Sequence, residues 1–356
     1  MAKGVFDNKT VVITGGTGSL GKVLTKRLLK GREGTPKKII IFSRDEAKQH
    51  YMRLDYEHLK HTTDEVIYNN FARTLEFRIG DVRDYHSVCS ALKTADIVVN
   101  AAALKQVPSC EYFPHEAVQT NILGPENIVR AIKENDLPVE TVVGISTDKA
   151  CKPVNVMGMT KALQERVFIS ANLTIPTTRF ICVRYGNVLA SRGSVIPLFH
   201  EQIKKGGPVT VTTKEMTRFL LPLEHAVDTI MAAMSGANPG ETYVPHAPSA
   251  RMTDLAHALI EDRPIKVIHT GIRPGEKVHE IMVSDEEAWR TFERGDFFAI
   301  KPMLPELVKD NEETAALSSE YSSGTTLMNK KELHALLDKH KLKVHHTFHE
   351  EGELLR

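Results

Sequence analysis

Cysteine is scarce in this chain, and so is any imbalance of charge. Four cysteines in 356 residues (Cys89, Cys110, Cys151 and Cys182) show neither metal-site spacing nor the density of a disulfide framework, which suits a reducing compartment. Lys plus Arg number 46 and Asp plus Glu 45, so no overall field recruits nucleic acid or an anionic membrane. Any anionic ligand must be held by local groups. No apolar run approaches the ~18 residues of a membrane span. The N-terminal MAKGVFDNKTVVITGG enters a strand without a signal peptide's apolar segment and cleavage site. A cytoplasmic protein is expected, with no nucleic-acid and no membrane partner. His340, His345, His346 and His349 lack ligand spacing, so no metal site is expected. What is present is 41% hydrophobic and 26% charged, ordinary for a globular enzyme.

The first half alternates short β-branched runs with helical stretches. Thr10–Thr14, Ile39–Phe42, Leu75–Ile79, Asp96–Asn100, Thr141–Ile145 and Arg179–Tyr185 read as buried strands. Amphipathic segments such as Leu20–Leu29 and Glu126–Glu134 lie between them. Strands joined by helical crossovers form a parallel sheet with helices on both faces. The expected class is α/β: a Rossmann-type doubly wound parallel sheet with a smaller C-terminal substrate-binding lobe. The sheet domain is placed at 1–189, with parts of the later chain returning to it. Gly- and Pro-punctuated pieces such as KKGGPVT and GANPGETYVP place the lobe mainly at 190–310, and 311–356 is a C-terminal extension ending in a helix over Lys330–Lys341 and a His-rich tail.

Thr14-Gly15-Gly16-Thr17-Gly18-Ser19-Leu20-Gly21 follows the first strand and opens the first helix. Glycines at 15, 18 and 21 allow a tight turn and close approach of backbone to a pyrophosphate, which sits at the helix's positive end. The end of the second strand chooses the cofactor: an acid there accepts from a ribose 2′-hydroxyl, whereas Arg favours a 2′-phosphate. Ser43-Arg44 stand at that point, with Lys48 beyond, which favours NADP. The same residues also read as a solvated helix start with Asp45 and Glu46 as first-turn acids. Asp81-Val82 after the third strand fits an adenine contact, and Ala101 after the fourth is a small residue beside the dinucleotide.

The fifth strand runs into Ser146-Thr147-Asp148-Lys149-Ala150, followed by Pro153, Asn155, Met157, Gly158, Thr160 and Lys161. This string, with AAALKQVPSCEYFP, TNILG, RYGNVLASRGSVIP, MTRF and RPGEKVHE, resembles the inverting UDP-N-acetylglucosamine 4,6-dehydratases of the extended short-chain dehydrogenase/reductase family, of the capsule and surface-polysaccharide type. The resemblance covers about residues 6 to 325. It departs from the general family pattern at one place: Met157 stands where Tyr-x-x-x-Lys has its tyrosine, with Lys161 one turn later. A thioether has no titratable proton, so the 4-hydroxyl proton must go elsewhere, to Asp148 or to a water held by Thr147 and Lys161.

The resemblance implies hydride removal from C4, loss of water across C5–C6 and hydride return to C6. It makes Lys149 the C5 base and Asp148 the C6 acid, roles that need Lys149 neutral and Asp148 protonated. Burial moves both in those directions, and the charge of Lys161 would lower Lys149 further. By the same resemblance Met157, Lys161, Thr120 and Val188 lie along the cofactor. Lys105, Asn187, Val195, Arg218, Arg273 and Glu276 contact a UDP-linked N-acetylhexosamine, with the arginines on the diphosphate and Glu276 on the uridine ribose. A homo-oligomer, dimer or hexamer, is also implied. Two rival readings stand beside this one: a UDP-sugar 4-epimerase, and a catalytically silent NADP-binding protein.

Overall fold

The computed structural model describes residues 4–58, 71, 73–189, 194–308 and 313–345. His346, His349 and positions 190–193 of the RYGNVLASRGSVIP string lie outside the described residues.

Six strands carry the first half: β1 (Thr10–Thr14), β2 (Lys38–Ser43), β3 (Leu75–Ile79), β4 (Ile97–Asn100), β5 (Thr141–Thr147) and β6 (Arg179–Tyr185). Helices α1 (Ser19–Leu29), α2 (Glu46–His58), α3 (Tyr85–Leu92), α4 (Gly124–Glu134) and α5 (Val156–Thr174) connect them. The strands pair in parallel in the order β3-β2-β1-β4-β5-β6. Both faces of the sheet are covered, which is why β1 reads as a continuous apolar run rather than an alternating one. Val11 and Ile13 pack with Leu24 and Leu28 of α1. Val12, between them, packs with Ile128 and Ile132 of α4 and Phe168 of α5. Each such large side chain stabilises the fold by roughly 1.5–3 kcal/mol.

Beyond β6 the chain moves back and forth between two cores. Helix α6 (Val195–Lys204) and strands β7 (Val209–Val211) and β8 (Thr217–Phe219) come first, then α7 (Leu223–Gly236) and β9 (Thr242–Pro245). After them follow β10 (Ser249–Arg251), α8 (Met252–Ile260), β11 (Val267–His269) and β12 (Ile281–Val283), then β13 (Thr291–Glu293), β14 (Phe297–Ile300), β15 (Tyr321–Ser322) and α9 (Lys330–Lys339). Strand β9 extends the main sheet in parallel beside β6, and β14 and β13 add an antiparallel edge. Helix α7 covers the α1 face through Val227, Ile230 and Met234. The lobe has its own core, in which Phe199 of α6 and Leu255 and Leu259 of α8 meet Leu333 and Leu337 of α9. The C-terminal segment thus shares the lobe's core, and β15 pairs antiparallel with β12.

Candidate active site

Strand order reverses between β1 and β4, where open α/β sheets bind ligands beyond the strand ends. Gly15 there has φ +65°, and a Cβ on it would lie 2.8 Å from the Ala102 backbone. The turn after β1 therefore sits directly against the Ala101–Ala102 segment. A Cβ on Gly21 would lie 2.3 Å from the Gly16 carbonyl oxygen, so α1 can start this close to the turn only with glycine. Gly18 is the helix N-cap and offers no side-chain cap; the N–H groups of Ser19, Leu20 and Gly21 remain available to a phosphate. Thr17 is buried in the turn. This cradle fits a dinucleotide.

Arg44, just beyond β2, is exposed, with Nη1 3.6 Å from Asp81 Oδ2. The ends of β2 and β3 thus bring together the two residues expected there. Lys48 is turned away onto Asp45, 2.8 Å distant. Ser43 is buried, its hydroxyl accepting from Gln49 at 3.0 Å. Val82 is buried under α4, with its carbonyl held by Asn127 at 2.9 Å. Thr120 is buried in a π-helical turn, Gln119–Leu123. Val188 bridges to Leu221.

The chemical centre forms where β5 ends. Thr147 is the N-cap of a 3-10 turn over Asp148–Ala150. Its hydroxyl donates to Asp148 Oδ1 at 2.9 Å. Lys149 Nζ has three acceptors: Asp148 Oδ1 at 3.0 Å, Asn187 Oδ1 at 3.0 Å and Glu280 Oε1 at 3.2 Å. An ammonium has three protons to give, so all are used. Asp148 is fully buried, and its Oδ2, like Oε2 of Glu280, has no hydrogen-bond partner. An unsatisfied buried carboxylate oxygen is costly and is suited to a ligand hydroxyl.

Lys149 does not have the lowered proton affinity expected of it. Burial does lower the proton affinity of Lys149, but the charges of Asp148 and Glu280 outweigh it and the net shift is upward. Arg218 opposes that shift, the part assigned from sequence to Lys161. Asp148 is pushed up by burial and by the Glu280 charge, against the pull of Lys149. Lys161 is buried, donates to Gln164 Oε1, and is lowered by burial to about 8.

Helix α5 is anchored against this turn. Asn155 caps it, accepting from Gly158 N at 2.8 Å, and its Nδ2 donates to the Gly275 carbonyl at 2.8 Å. Gly158 passes so close to Lys149 that a Cβ would lie 2.2 Å from the Lys149 carbonyl oxygen. Met157, next to it, is buried among Cys110, Ala117, Leu104 and Val107. It fills an apolar pocket and carries no proton.

The residues expected to hold substrate divide into two groups. Asn187 is drawn into the Lys149 cluster. Arg218, on β8, is buried; its Nη1 donates to the Thr217 carbonyl at 2.7 Å and its Nε lies 3.7 Å from Glu280 Oε1. Arg273 and Lys105 are exposed. Gly275, at φ +78°, turns the loop so that Glu276 N bonds Arg273 O, and Glu276 Oε2 accepts from Thr212 at 3.4 Å. Val195 opens α6 and is partly buried against the lobe core.

Sequence reasoning missed Glu280, although it closes the RPGEKVHE string; only the fold shows that β12 starts beside Lys149. It also missed the buried pairing of Arg184 with Glu165 at 2.7 Å and Glu287 at 2.8 Å, which ties β6 to α5 and to the segment after β12. Cys151 is buried, which pushes its thiol up to about 12. A cavity of about 920 Å³ behind the turn is lined by Cys151, Arg166, Trp289 and Met303 among others, and by none of the expected site residues. Among the described residues no cluster of His, Cys, Asp and Glu could hold a metal ion, and no helix is long and apolar enough to cross a membrane.

Comparison with known proteins bears on this geometry. Residues 11–302 match the family described as polysaccharide biosynthesis protein. An inverting UDP-N-acetylglucosamine 4,6-dehydratase of Campylobacter jejuni is 42% identical, over 86% of this chain and 87% of its own. A UDP-glucose 4-epimerase of Rickettsia typhi is also 42% identical, over 94% of this chain and 96% of its own. Among solved structures, that of Pen from Bacillus thuringiensis matches with a TM-score of 0.83 at 36% identity, covering 95% of this chain and 99% of that one.

Proposed function

The chain belongs to the polysaccharide biosynthesis protein family, and from that membership we propose that it is a nucleotide-sugar 4,6-dehydratase converting UDP-N-acetylglucosamine to a 6-deoxy-4-keto sugar. The observation that carries this reading is the buried Asp148–Lys149 pair, 3.0 Å apart at the end of β5. A change confined to C4 needs no such pair; elimination of water across C5–C6 needs both a base and an acid.

When bound, NADP would supply the acceptor for the C4 hydride and its donor to C6, while the 4-hydroxyl proton would pass to a water held by Thr147 and Lys161. The turn Gly15–Gly21 would hold its pyrophosphate, and Arg44 its 2′-phosphate. The resulting C4 ketone acidifies C5–H. Lys149 Nζ takes that proton, and the C5–H electron pair forms the C5=C6 bond. Asp148 gives its proton to the C6 hydroxyl as the C6–O bond breaks, and water leaves. Proton exchange between the two across their hydrogen bond produces the acid and the base together. Burial and the Glu280 charge favour a protonated Asp148, whereas Lys149, whose proton affinity is raised, becomes a base only by handing its proton to Asp148.

The proton returned to C5 decides configuration. Lys149 can return it only to the face from which it came. Inversion at C5, as in the name of the Campylobacter relative, therefore requires a donor on the opposite face. Arg218 and Arg273 would hold the diphosphate and Glu276 the uridine ribose, with Lys105 and Val195 along the substrate. A homo-oligomer is the matching assembly, supported by exposed apolar side chains on and beside α5: Tyr112, Phe113, Met159 and Leu163.

The Rickettsia relative favours a second reading, 4-epimerisation, which shares the C4 oxidation. Incubation with UDP-N-acetylglucosamine in deuterated water, followed by NMR of the product, separates them. Dehydration gives a 6-deoxy-4-keto sugar with solvent deuterium at C5. A product that keeps its C6 oxygen contradicts the proposal.

A further inference from the structure

Glu280 has no part in the reaction as derived so far, yet it is one of the most confined carboxylates in the molecule. It is 3% exposed, and three neighbours fix it. Its backbone N–H donates to Ser323 Oγ at 2.9 Å, and its carbonyl accepts from Ser323 N at 2.8 Å. Ser323 is in turn held by Thr217 Oγ1 at 2.7 Å. The C-terminal segment around β15 therefore clamps Glu280 at the start of β12. Its side chain is left facing Lys149 Nζ at 3.2 Å and Arg218 Nε at 3.7 Å.

Resting on the dehydratase reading, we propose that Glu280 is a positioning residue that fixes the Lys149 amine between two carboxylates and opposes its charge as it takes the C5 proton. Asp148 is the residue next to Lys149 and must give up its own proton, so it cannot serve as the fixed counter-charge. Glu280 can, because the charges of Lys149 first, then of Arg218 on its other side and of Lys277 from the RPGEK loop, outweigh its burial and keep it ionised. The charged groups facing Lys149 are Asp148 from its own turn, Glu280 from β12, Arg218 from β8 and Lys277 from the RPGEK loop, beside the neutral Asn187 after β6. Two like charges on either side of one ammonium also force the carboxylates apart. Glu280 stays charged and Asp148 holds a proton more readily, which is the division of labour the elimination needs. The geometry makes the C-terminal segment part of the site through Ser323.

The test is the titration of Lys149, read by NMR of 13Cε-labelled lysine in the full chain, with the signal assigned by its loss in Lys149→Arg. Glu280→Gln keeps the shape and removes the charge. It should move the Lys149 midpoint down by about one pH unit or more, as expected for an opposite charge lost within ~4–6 Å. Arg218→Gln should move it up, so the proposal stays testable if the first variant does not fold. In turnover, both limbs of the kcat profile of Glu280→Gln should shift to lower pH, because a negative charge near both Asp148 and Lys149 has gone. Its kcat at the optimum should fall on the order of 10²-fold, with KM little changed. An unmoved Lys149 midpoint in Glu280→Gln, or a fall in Arg218→Gln, overturns the proposal. The titration needs no turnover. A protein that makes no 6-deoxy product would sink the dehydratase reading alone, and normal dehydration with an unmoved midpoint would sink only the role of Glu280.

Discussion

Gly158→Ala should disable the protein while leaving it folded. In the first turn of α5, the added methyl would stand 2.2 Å from the Lys149 carbonyl oxygen and 3.0 Å from its carbonyl carbon, where ordinary contact begins at 3.4 Å. Both atoms are backbone and cannot rotate aside, so the helix or the Asp148–Lys149 turn must give way by roughly 1 Å. A misplacement of that size costs about 10²-fold in rate. Lys149 Nζ depends on three partners at 3.0 to 3.2 Å, two of which, Asn187 and Glu280, lie on other elements and would not follow it. The overpacking itself should destabilise by about 1–3 kcal/mol. Product formation under saturating substrate, alongside urea unfolding, measures both. A folded variant with wild-type kcat would show that the close approach of α5 does not hold the reacting geometry, and the reasoning would fail.

Arg44→Asp should weaken NADP binding far more than NAD binding, since it removes a contact to the 2′-phosphate and adds repulsion; equal loss for both cofactors, measured by calorimetry, contradicts the assignment. Met157→Ala should cost about 2–5 kcal/mol of stability by emptying a buried apolar pocket, yet lower kcat by less than the ~10²-fold expected of a lost acid or base. Lys161 gives a pH signature. Its pKa is lowered from 10.5 to about 8 by burial, so the unfolded chain binds more protons between those values and stability rises with pH across that window. The rise should be on the order of 3 kcal/mol and absent in Lys161→Met, as urea unfolding just below and above the window would show.

The sheet was legible because β1, β2, β4 and β5 are β-branched runs and β3 and β6 are short stretches carrying aromatic and β-branched residues, and the cofactor turn because Gly15, Gly18 and Gly21 lie between a strand and a helix. The ends were less so: β5 runs on to Thr147 because Ser146 and Thr147 stay paired with β6, which a polar pair at a strand's end does not announce. The return of β9 and the β13–β14 hairpin to the main sheet was hidden by their shortness, three or four residues each. At the site, Asp148 and Lys149 could be read together because they are adjacent. Glu280 could not, since 131 residues separate it from Lys149 and tertiary contacts, among them the pairing of β12 with β15 and the bond of Thr217 N to the Val278 carbonyl, bring it in. The electrostatic balance failed for the same reason. Burial alone predicts a lowered lysine; the charges of Asp148 and Glu280 together reverse the sign, and the second of these is invisible until the chain is folded.

The central claim, that hydride leaves C4 and returns at C6 of the same sugar with loss of water between, can be followed by one label. UDP-N-acetylglucosamine deuterated at C4 should give a 4-keto product with the deuterium in its C6 methyl group, transferred within single molecules when mixed with unlabelled substrate. Deuterium found again at C4, on a sugar that still carries its C6 hydroxyl, would mean the protein epimerises and that the Asp148–Lys149 pair does not eliminate water.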